Sequence, residues 1–224
     1  MPRTRRRTIY ACDCGSPRRG NFAWTVVSPD RAPGGGDDIN RLVECLVRDL
    51  NAGHSVALGF ESPLFVPVPD AANDIGRGRL GEGSRPFSAG AGCGALVVGL
   101  LEVAWVLRAI RRQLDQERSV HFSTSPADWP PPEDQQTLFL WEAFVSGDAH
   151  SDEHVRDAAT AAMEFLAHEE ALPNANAVTA EHPLSLVHAA ALWSGWSEDT
   201  EGLHTPAVVI KPQAPYPGDI LHLA

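Results

Sequence analysis

Four acidic residues stand where the sequence predicts the ends of β-strands or the start of a helix: Asp13, Glu61, Glu142 and Asp157. The first three follow the predicted strand segments 8–12, 55–60 and 138–141, and the fourth lies on an alanine-rich helix predicted from about residue 153 to 168. Acids at the carboxyl ends of strands in an α/β sheet converge although they are distant in sequence. Their mutual repulsion is relieved by a hard divalent cation. The pattern predicts a Mg²⁺ or Mn²⁺ site in which these four residues are both metal ligands and catalytic groups. Two such ions, about 3.5–4 Å apart, can activate a water and stabilise the leaving oxygen of a phosphodiester.

Each of these acids also has a purely structural explanation. Asp13 precedes Cys14 and Gly15, so it can form an Asx turn. Glu61 can pair with an arginine of the long loop that follows it, Glu142 can be a surface charge on an edge strand, and Asp157 can be a solvated helix residue. Three acids that all follow apolar strands favour the functional interpretation.

A glycine-rich segment at residues 85–94 precedes a long predicted helix. Backbone N–H groups at a helix start can hold a phosphate, and an arginine can bind it with two hydrogen bonds. Arg85, Gly90 and Gly92 are therefore predicted phosphate-binding residues. The segment lacks the lysine of a Walker loop, since Lys211 is the only lysine in the chain. Close packing of the helix through small residues explains the glycines equally well.

Histidine, cysteine and tryptophan residues give weaker signals. His150 and His154 lie close to Asp157 in sequence, where they could shuttle protons or be solvated. Cys12 and Cys14 alternate on a predicted strand, which is more typical of small core residues than of a zinc site, because no second cysteine pair is present. The tryptophans at positions 105, 141, 193 and 196 stand in apolar surroundings, which favours a place in the core.

Charge is unevenly distributed along the 224 residues. The net charge is −11, yet six of the 18 basic residues lie in the first nineteen positions. This basic arm is either a contact for nucleic acid or a solvated tail. No run of eighteen uncharged apolar residues and no secretory signal is present, so we expect a cytoplasmic protein without a membrane partner. The sequence sets no expectation for the oligomeric state.

The order of predicted elements indicates one α/β domain. A hairpin at residues 8–27 is followed by a Pro/Gly loop at 30–38, a helix capped by Asp38, a buried strand at 55–60 and an irregular stretch at 66–89. A long helix at 94–114, strands at 120–124 and 137–141, two helices and a short strand at 206–210 complete the chain. We expect a flexible basic arm at residues 1–8 and a single domain at 9–224, with a mixed sheet covered by helices on both faces.

Several short motifs resemble an uncharacterised family of predicted nucleases with a ribonuclease-H-like fold. They are Asp13-Cys14-Gly15 after a strand, the hairpin through Trp24, GFESPL, LFLWEAF and HVRDAATAAMEFL, and they cover residues 9–166. The resemblance implies that Asp13 is the first-strand metal ligand, and that Glu61, Glu142 and Asp157 are the later acids. Glu61 departs from the family, which often has Asp at this point, and Pro17, Arg18 and Arg19 widen the first turn.

Three functional hypotheses follow. The leading one is a Mg²⁺- or Mn²⁺-dependent nuclease or phosphodiesterase that acts on nucleic acid through the clustered carboxylates. The alternative is a non-catalytic binding or regulatory module that retains the ribonuclease-H-like fold, which Glu61 and the acidic body favour. A nucleotide phosphotransferase is the third, but it needs a second phosphate loop, and the only other D-x-G begins at Asp74 in a predicted loop.

Overall fold

The computed structural model describes residues 6–28 and 31–223. The strands are β1 (Arg7–Asp13), β2 (Ala23–Ser28), β3 (Arg31–Gly36), β4 (Ser55–Phe60), β5 (Phe65–Pro67), β6 (His121–Ser123), β7 (Thr137–Ala143), β8 (Pro183–Ser185), β9 (Val209–Ile210) and β10 (Leu221–His222). The α-helices are α1 (Ile39–Asn51), α2 (Ala91–Gln113), α3 (His154–His168), α4 (Leu172–Ala175) and α5 (Leu186–Ser194).

A mixed sheet of eight strands forms the centre of the described residues, in the order β10-β3-β2-β1-β4-β7-β6, with β9 paired to the end of β7. β1, β2 and β3 form an antiparallel meander, whereas β4, β7 and β6 run parallel to β1. β5 and β8 form a separate two-stranded ribbon. The parallel strands are buried on both faces, which explains why 55–60 and 137–143 are nearly continuous apolar runs.

The two faces of the sheet carry different helices. Side chains such as Cys12, Phe60 and Leu140 belong to one core, which includes the apolar faces of α1, α2 and α5. Their strand neighbours Ala11 and Trp141 belong to a second core against α3. Alternation along each strand therefore decides which helix layer a side chain meets. The predicted α/β architecture, a mixed sheet with helices on both faces, is confirmed.

Two local features differ from the sequence expectation, and a third agrees with it. Residues 31–36, predicted as loop, form β3, because glycine lets the chain approach β2 closely; a Cβ on Gly35 would stand 2.2 Å from the carbonyl oxygen of Trp24. β1 begins at Arg7, so the last two residues of the predicted arm belong to the sheet, and residues 1–5 lie outside the described residues. The predicted cap is confirmed, since the Asp38 carboxylate accepts a hydrogen bond from the Asn40 N–H at 2.8 Å.

By length and composition, α2 is the one helix of the described residues that could cross a membrane, with a mean hydropathy of 1.9 over an 18-residue window. α2 contains no run of eighteen uncharged apolar residues, because Glu102 interrupts its apolar sequence. α2 packs against α5 and α1 on one face of the sheet. Its buried residues lie on the sheet side, as expected for a helix in an α/β layer.

Candidate active site

Asp13 and Glu61 emerge side by side at one edge of the sheet. β1 and β4 pair in parallel with Cys12 opposite Phe60, and the Glu61 N–H donates to the Cys12 carbonyl at 2.8 Å. The ladder thus continues for one residue past the end of β4 and fixes the position of Glu61 next to Asp13. This is the convergence that the positions of the two acids after parallel strands predicted.

Strand alternation turns both side chains toward α3. Asp13 follows Ala11 on its face of β1, and Glu61 follows Ala57 and Gly59 on β4; both alanines belong to the core beneath α3. Asp157 lies in the first turn of α3 and is buried. The structure therefore brings Asp13, Glu61 and Asp157 together, and it excludes the solvated position considered for Asp157.

Two histidines cover two of these carboxylates. His154 Nδ1 lies 2.6 Å from Asp13 Oδ2, and His150 Nδ1 lies 2.5 Å from Asp157 Oδ2. The Ser151 N–H donates to the other oxygen of Asp157 at 2.8 Å. The imidazoles are about half exposed, whereas Asp157 is only 1% exposed. The sequence placed both histidines near Asp157, but only the fold shows that His154 contacts Asp13.

Burial, together with the proximity of the other carboxylates, raises the pKa of two of the three acids. Burial raises the pKa of Asp13 to about 6; the adjacent His154 lowers it, and the Asp157 carboxylate raises it further. Burial also raises the pKa of Glu61 well above its usual value, with contributions in the same direction from Asp13 and Asp157 and an opposing one from Arg85. A buried carboxylate among like charges favours either a proton or a cation.

Glu61 carries the clearest sign of an incomplete site. Its Oε2 atom is buried and has no hydrogen-bond partner among the described residues. An unpaired buried acceptor costs about 1–3 kcal/mol. The glutamate side chain places this oxygen one methylene further from the backbone than an aspartate side chain would.

Glu142 does not join this cluster. It stands on β7 opposite Phe60, two residues after Leu140, so its side chain lies on the face of α2 rather than that of α3. Its carboxylate accepts hydrogen bonds from the Arg79 guanidinium at 2.6 and 2.7 Å and from the Leu64 N–H at 2.9 Å. Both of its oxygens are thus engaged. Glu142 is completely buried, which excludes the exposed edge position.

Arg79 links Glu142 to the long loop after β5. Besides Glu142, its guanidinium binds the Glu82 carboxylate at 2.9 Å and stacks 4.5 Å from the centre of the Phe65 ring. Glu82 in turn accepts hydrogen bonds from the backbone N–H groups of Arg79 and Phe87. This buried network ties residues 79–87 to the sheet.

A cleft of about 540 Å³ opens between this loop and the strand ends. Asp13 and Glu61 line it, and so do the three predicted phosphate-binding residues, Arg85, Gly90 and Gly92. Gly92 lies so close to the preceding loop that a Cβ would stand 2.3 Å from the Pro86 carbonyl oxygen. Gly92 therefore allows close packing of the helix start, which was the structural explanation for the glycines. The same turn also borders the cleft. Phosphate binding stays a prediction.

Glu102, a buried acid near Cys14, was not singled out from the sequence. It lies on α2 and is buried, and neither carboxylate oxygen has a hydrogen bond of good geometry among the described residues. Burial raises its pKa to about 7, while the nearby Cys14 thiol and Gly15 N–H lower it. An acid within an otherwise apolar helical run was the signal available in the sequence.

Of the weaker signals, some are confirmed. Cys12 is a buried free thiol, and Trp141 is a core residue. Trp193 is 62% exposed and Trp105 is 37% exposed, so placing them in the core was wrong. They lie on the outer sides of α5 and α2. Their neighbours in sequence are apolar, but the tryptophans themselves do not face the sheet.

A ready-made metal centre is not evident: within residues 6–28 and 31–223, no group of three or more His, Cys, Asp and Glu side chains is arranged to hold an ion. The donors fit Mg²⁺ or Mn²⁺ in kind, because Glu61 has an unpaired oxygen and Asp13 is a carboxylate. Asp157 is also a carboxylate, and its two oxygens contact His150 Nδ1 and the Ser151 N–H.

Comparison with protein-family models, curated proteins and solved structures finds no match for this chain. The fold and the site define an α/β protein with two carboxylates at the carboxyl ends of parallel strands and a third on the helix that packs over them. The resemblance to the predicted nucleases stays a prediction.

Proposed function

We propose that this chain is a divalent-metal-dependent nuclease or phosphodiesterase of ribonuclease-H-like fold that acts on nucleic acid. An antiparallel meander of three strands followed by strands parallel to β1, in the order β3-β2-β1-β4-β7, supports the fold assignment. Asp13 and Glu61 at the ends of the two central parallel strands, opposite an acid on α3, support the function.

The observation that carries the proposal is the meeting of Asp13, Glu61 and Asp157 around a buried, unpaired oxygen of Glu61. Such a group of carboxylates raises the free energy of the protein unless a proton or a cation compensates it. These three residues would hold Mg²⁺ or Mn²⁺. When bound, the ion lowers the pKa of a water and stabilises the charge on a leaving oxygen.

The neighbouring residues have separate tasks in this proposal. His154 orients the Asp13 carboxylate through its Nδ1 atom, and His150 does so for Asp157. Arg85 lines the same cleft as Asp13 and Glu61 and would bind the substrate phosphate. Arg79 and Glu142 hold the loop that presents Arg85, so Glu142 is a positioning residue here and not a metal ligand.

The basic arm has a reduced part in this proposal. Arg7 is committed to the protein, since its guanidinium lies 3.3 Å from Glu170 and 3.4 Å from Glu169. Arg6, Arg18 and Arg19 are exposed. They remain the basic residues of the described part that could contact nucleic acid near β1.

Thermal unfolding with Mn²⁺, Mg²⁺ and EDTA tests the metal site. A ligand that binds only the folded state raises its stability by mass action. We expect Mn²⁺ to raise the melting temperature of the wild type and of Asp70→Asn, whose side chain is 95% exposed, but not of Asp13→Asn. Cleavage of single-stranded and duplex DNA and RNA is then measured with the same proteins. Lack of a Mn²⁺ effect on the wild type, together with no cleavage, would overturn the proposal.

The pairing of both aspartates with histidines favours one second candidate. Because His154 and His150 already bind Asp13 and Asp157, the cluster can be stable without a cation. The protein would then be a non-catalytic binding module that keeps the same fold. Binding of an oligonucleotide that is indifferent to EDTA, with no cleavage, would favour this candidate.

A further inference from the structure

We infer that the cleft beside the acids accepts a single nucleotide unit, one phosphate ester joined to one flat, uncharged base, rather than an extended strand or a duplex. This inference rests on the proposed function and names its substrate class. The unit can come from a free nucleotide or from the end of a strand, since both present the same chemistry.

The size of the cleft supports a small ligand. Its volume of about 540 Å³ lies within the range of roughly 300–1,000 Å³ that is typical of small-molecule sites. Residues 84–92 form one wall and residues 142–145 form another. A duplex needs a longer open surface than these two walls leave.

Within the part of the chain that the structure describes, the cleft has one cationic side chain that is available to bind a phosphate. Among the described residues that line it, the cations are Arg79 and Arg85. Arg79 is already neutralised by Glu82 and Glu142, so Arg85 is the cation left for a ligand. A protein that binds along a DNA duplex can make about 6–10 phosphate contacts. A net charge of −11 on the chain further opposes a long polyanion.

The remaining lining suits a base. Pro63, Phe87, Phe144 and Val145 give the cleft apolar walls. Asp13, Glu61 and Arg85 gather at the same cleft, so a phosphate between the acids and Arg85 leaves its attached nucleoside against those walls. A flat heterocycle buries apolar surface there without adding charge.

A blocking substitution tests the inference without removing core residues. Ala91 is exposed at the start of α2 and lines the cleft, so Ala91→Trp should fill it. Val97→Trp, at an exposed position 60% accessible on the same helix, is the matched control. Binding of AMP, of a linear 5′-phosphorylated 20-nucleotide DNA and of the same DNA as a closed circle is measured by calorimetry, each with Mn²⁺ and with EDTA.

We expect AMP to bind the wild type and Val97→Trp alike, and Ala91→Trp to bind AMP at least tenfold more weakly while its response to Mn²⁺ is unchanged. Competition of the linear DNA with AMP, without competition by the circle, would identify strand ends as the source. AMP binding without binding of either DNA would support the inference, identify free nucleotides as the source and count against action on nucleic acid. Equal binding of circle and linear DNA, or Mn²⁺ binding without AMP binding, would overturn the inference and leave the proposed function standing. AMP binding in EDTA that Ala91→Trp abolishes, with no Mn²⁺ effect, would support the inference and overturn the metal site. Binding of neither AMP nor Mn²⁺ would overturn both.

Discussion

The guanidinium of Arg79 donates two hydrogen bonds, at 2.6 and 2.7 Å, to the two carboxylate oxygens of Glu142, and both side chains are 1% exposed. The pair joins the loop after β5 to the carboxyl end of β7. A buried ion pair of this kind contributes little compared with a well-packed apolar pair, but removing one partner leaves a buried charge. It therefore makes the position of the cleft wall depend on two residues that are far apart in sequence.

Arg79→Met should lower the free energy of unfolding by about 3–5 kcal/mol, because it leaves Glu142 and Glu82 buried without a cation. Arg77→Met is the matched control, since the Arg77 side chain is 78% exposed and its contact with Asp74 is long, at 3.8 Å. It should change the free energy of unfolding by less than about 0.5 kcal/mol. Urea unfolding at pH 7 measures both. The double variant Arg79→Met/Glu142→Leu should recover part of the loss; an additive loss would contradict the buried pair.

Glu102→Gln should stabilise the protein at high pH and not at low pH. The pKa of Glu102 is raised to about 7 in the folded protein from 4.5, so below about pH 4 the group is protonated in both states and costs nothing. As the pH rises toward 7, the unfolded state loses the proton first, and the folded state becomes less stable by up to about 3 kcal/mol. The glutamine removes that cost above pH 7. Urea unfolding at pH 4 and pH 8 measures the effect, with Glu198→Gln at an exposed position as the control. An equal effect of Glu102→Gln at both pH values would contradict a raised pKa of Glu102.

Glu61→Gln should separate stability from metal binding. Burial and the neighbouring Asp13 and Asp157 raise the pKa of Glu61, so the folded protein loses stability as the pH rises above the ordinary pKa of a glutamate. In EDTA at pH 8 we expect the variant to melt at a higher temperature than the wild type, and in Mn²⁺ we expect its melting temperature not to rise. A lower melting temperature in EDTA would show that the Glu61 carboxylate has a favourable partner.

Gly92 and Gly94 form a matched pair on α2. A Cβ at position 92 would stand 2.3 Å from the Pro86 carbonyl oxygen and 3.0 Å from the Phe87 Cα, whereas nothing lies within 4 Å of a Cβ at position 94. Gly92→Ala should therefore destabilise by about 1–3 kcal/mol, and Gly94→Ala should stabilise by about 0.5–1 kcal/mol through helix propensity. Equilibrium unfolding of the two variants measures both effects. Equal changes of the same sign would contradict the close contact between Gly92 and the Pro86 carbonyl.

The local elements were predictable because their signals lie within short segments. Asp38 before an amphipathic run predicted the capped helix α1, and the uninterrupted apolar run 55–60 predicted a central strand. β3 was not predictable in this way, because its glycine-rich sequence is typical of a loop. Its strand conformation depends on hydrogen bonds with β2 and β10, which are contacts beyond the segment itself.

For the site, the sequence by itself determined which acids follow the strands and that Asp13 and Glu61 share an edge of the sheet, because parallel strands end on the same side. Only the tertiary structure decided which acids meet. Glu142 ends the neighbouring strand β7, but alternation turns it to the α2 face, where Arg79 neutralises it. Asp157 reaches the same side as Asp13 because α3 packs on that face. Side-chain direction depends on register and on which helix covers each face, and these are set by long-range packing rather than by the residues around each acid.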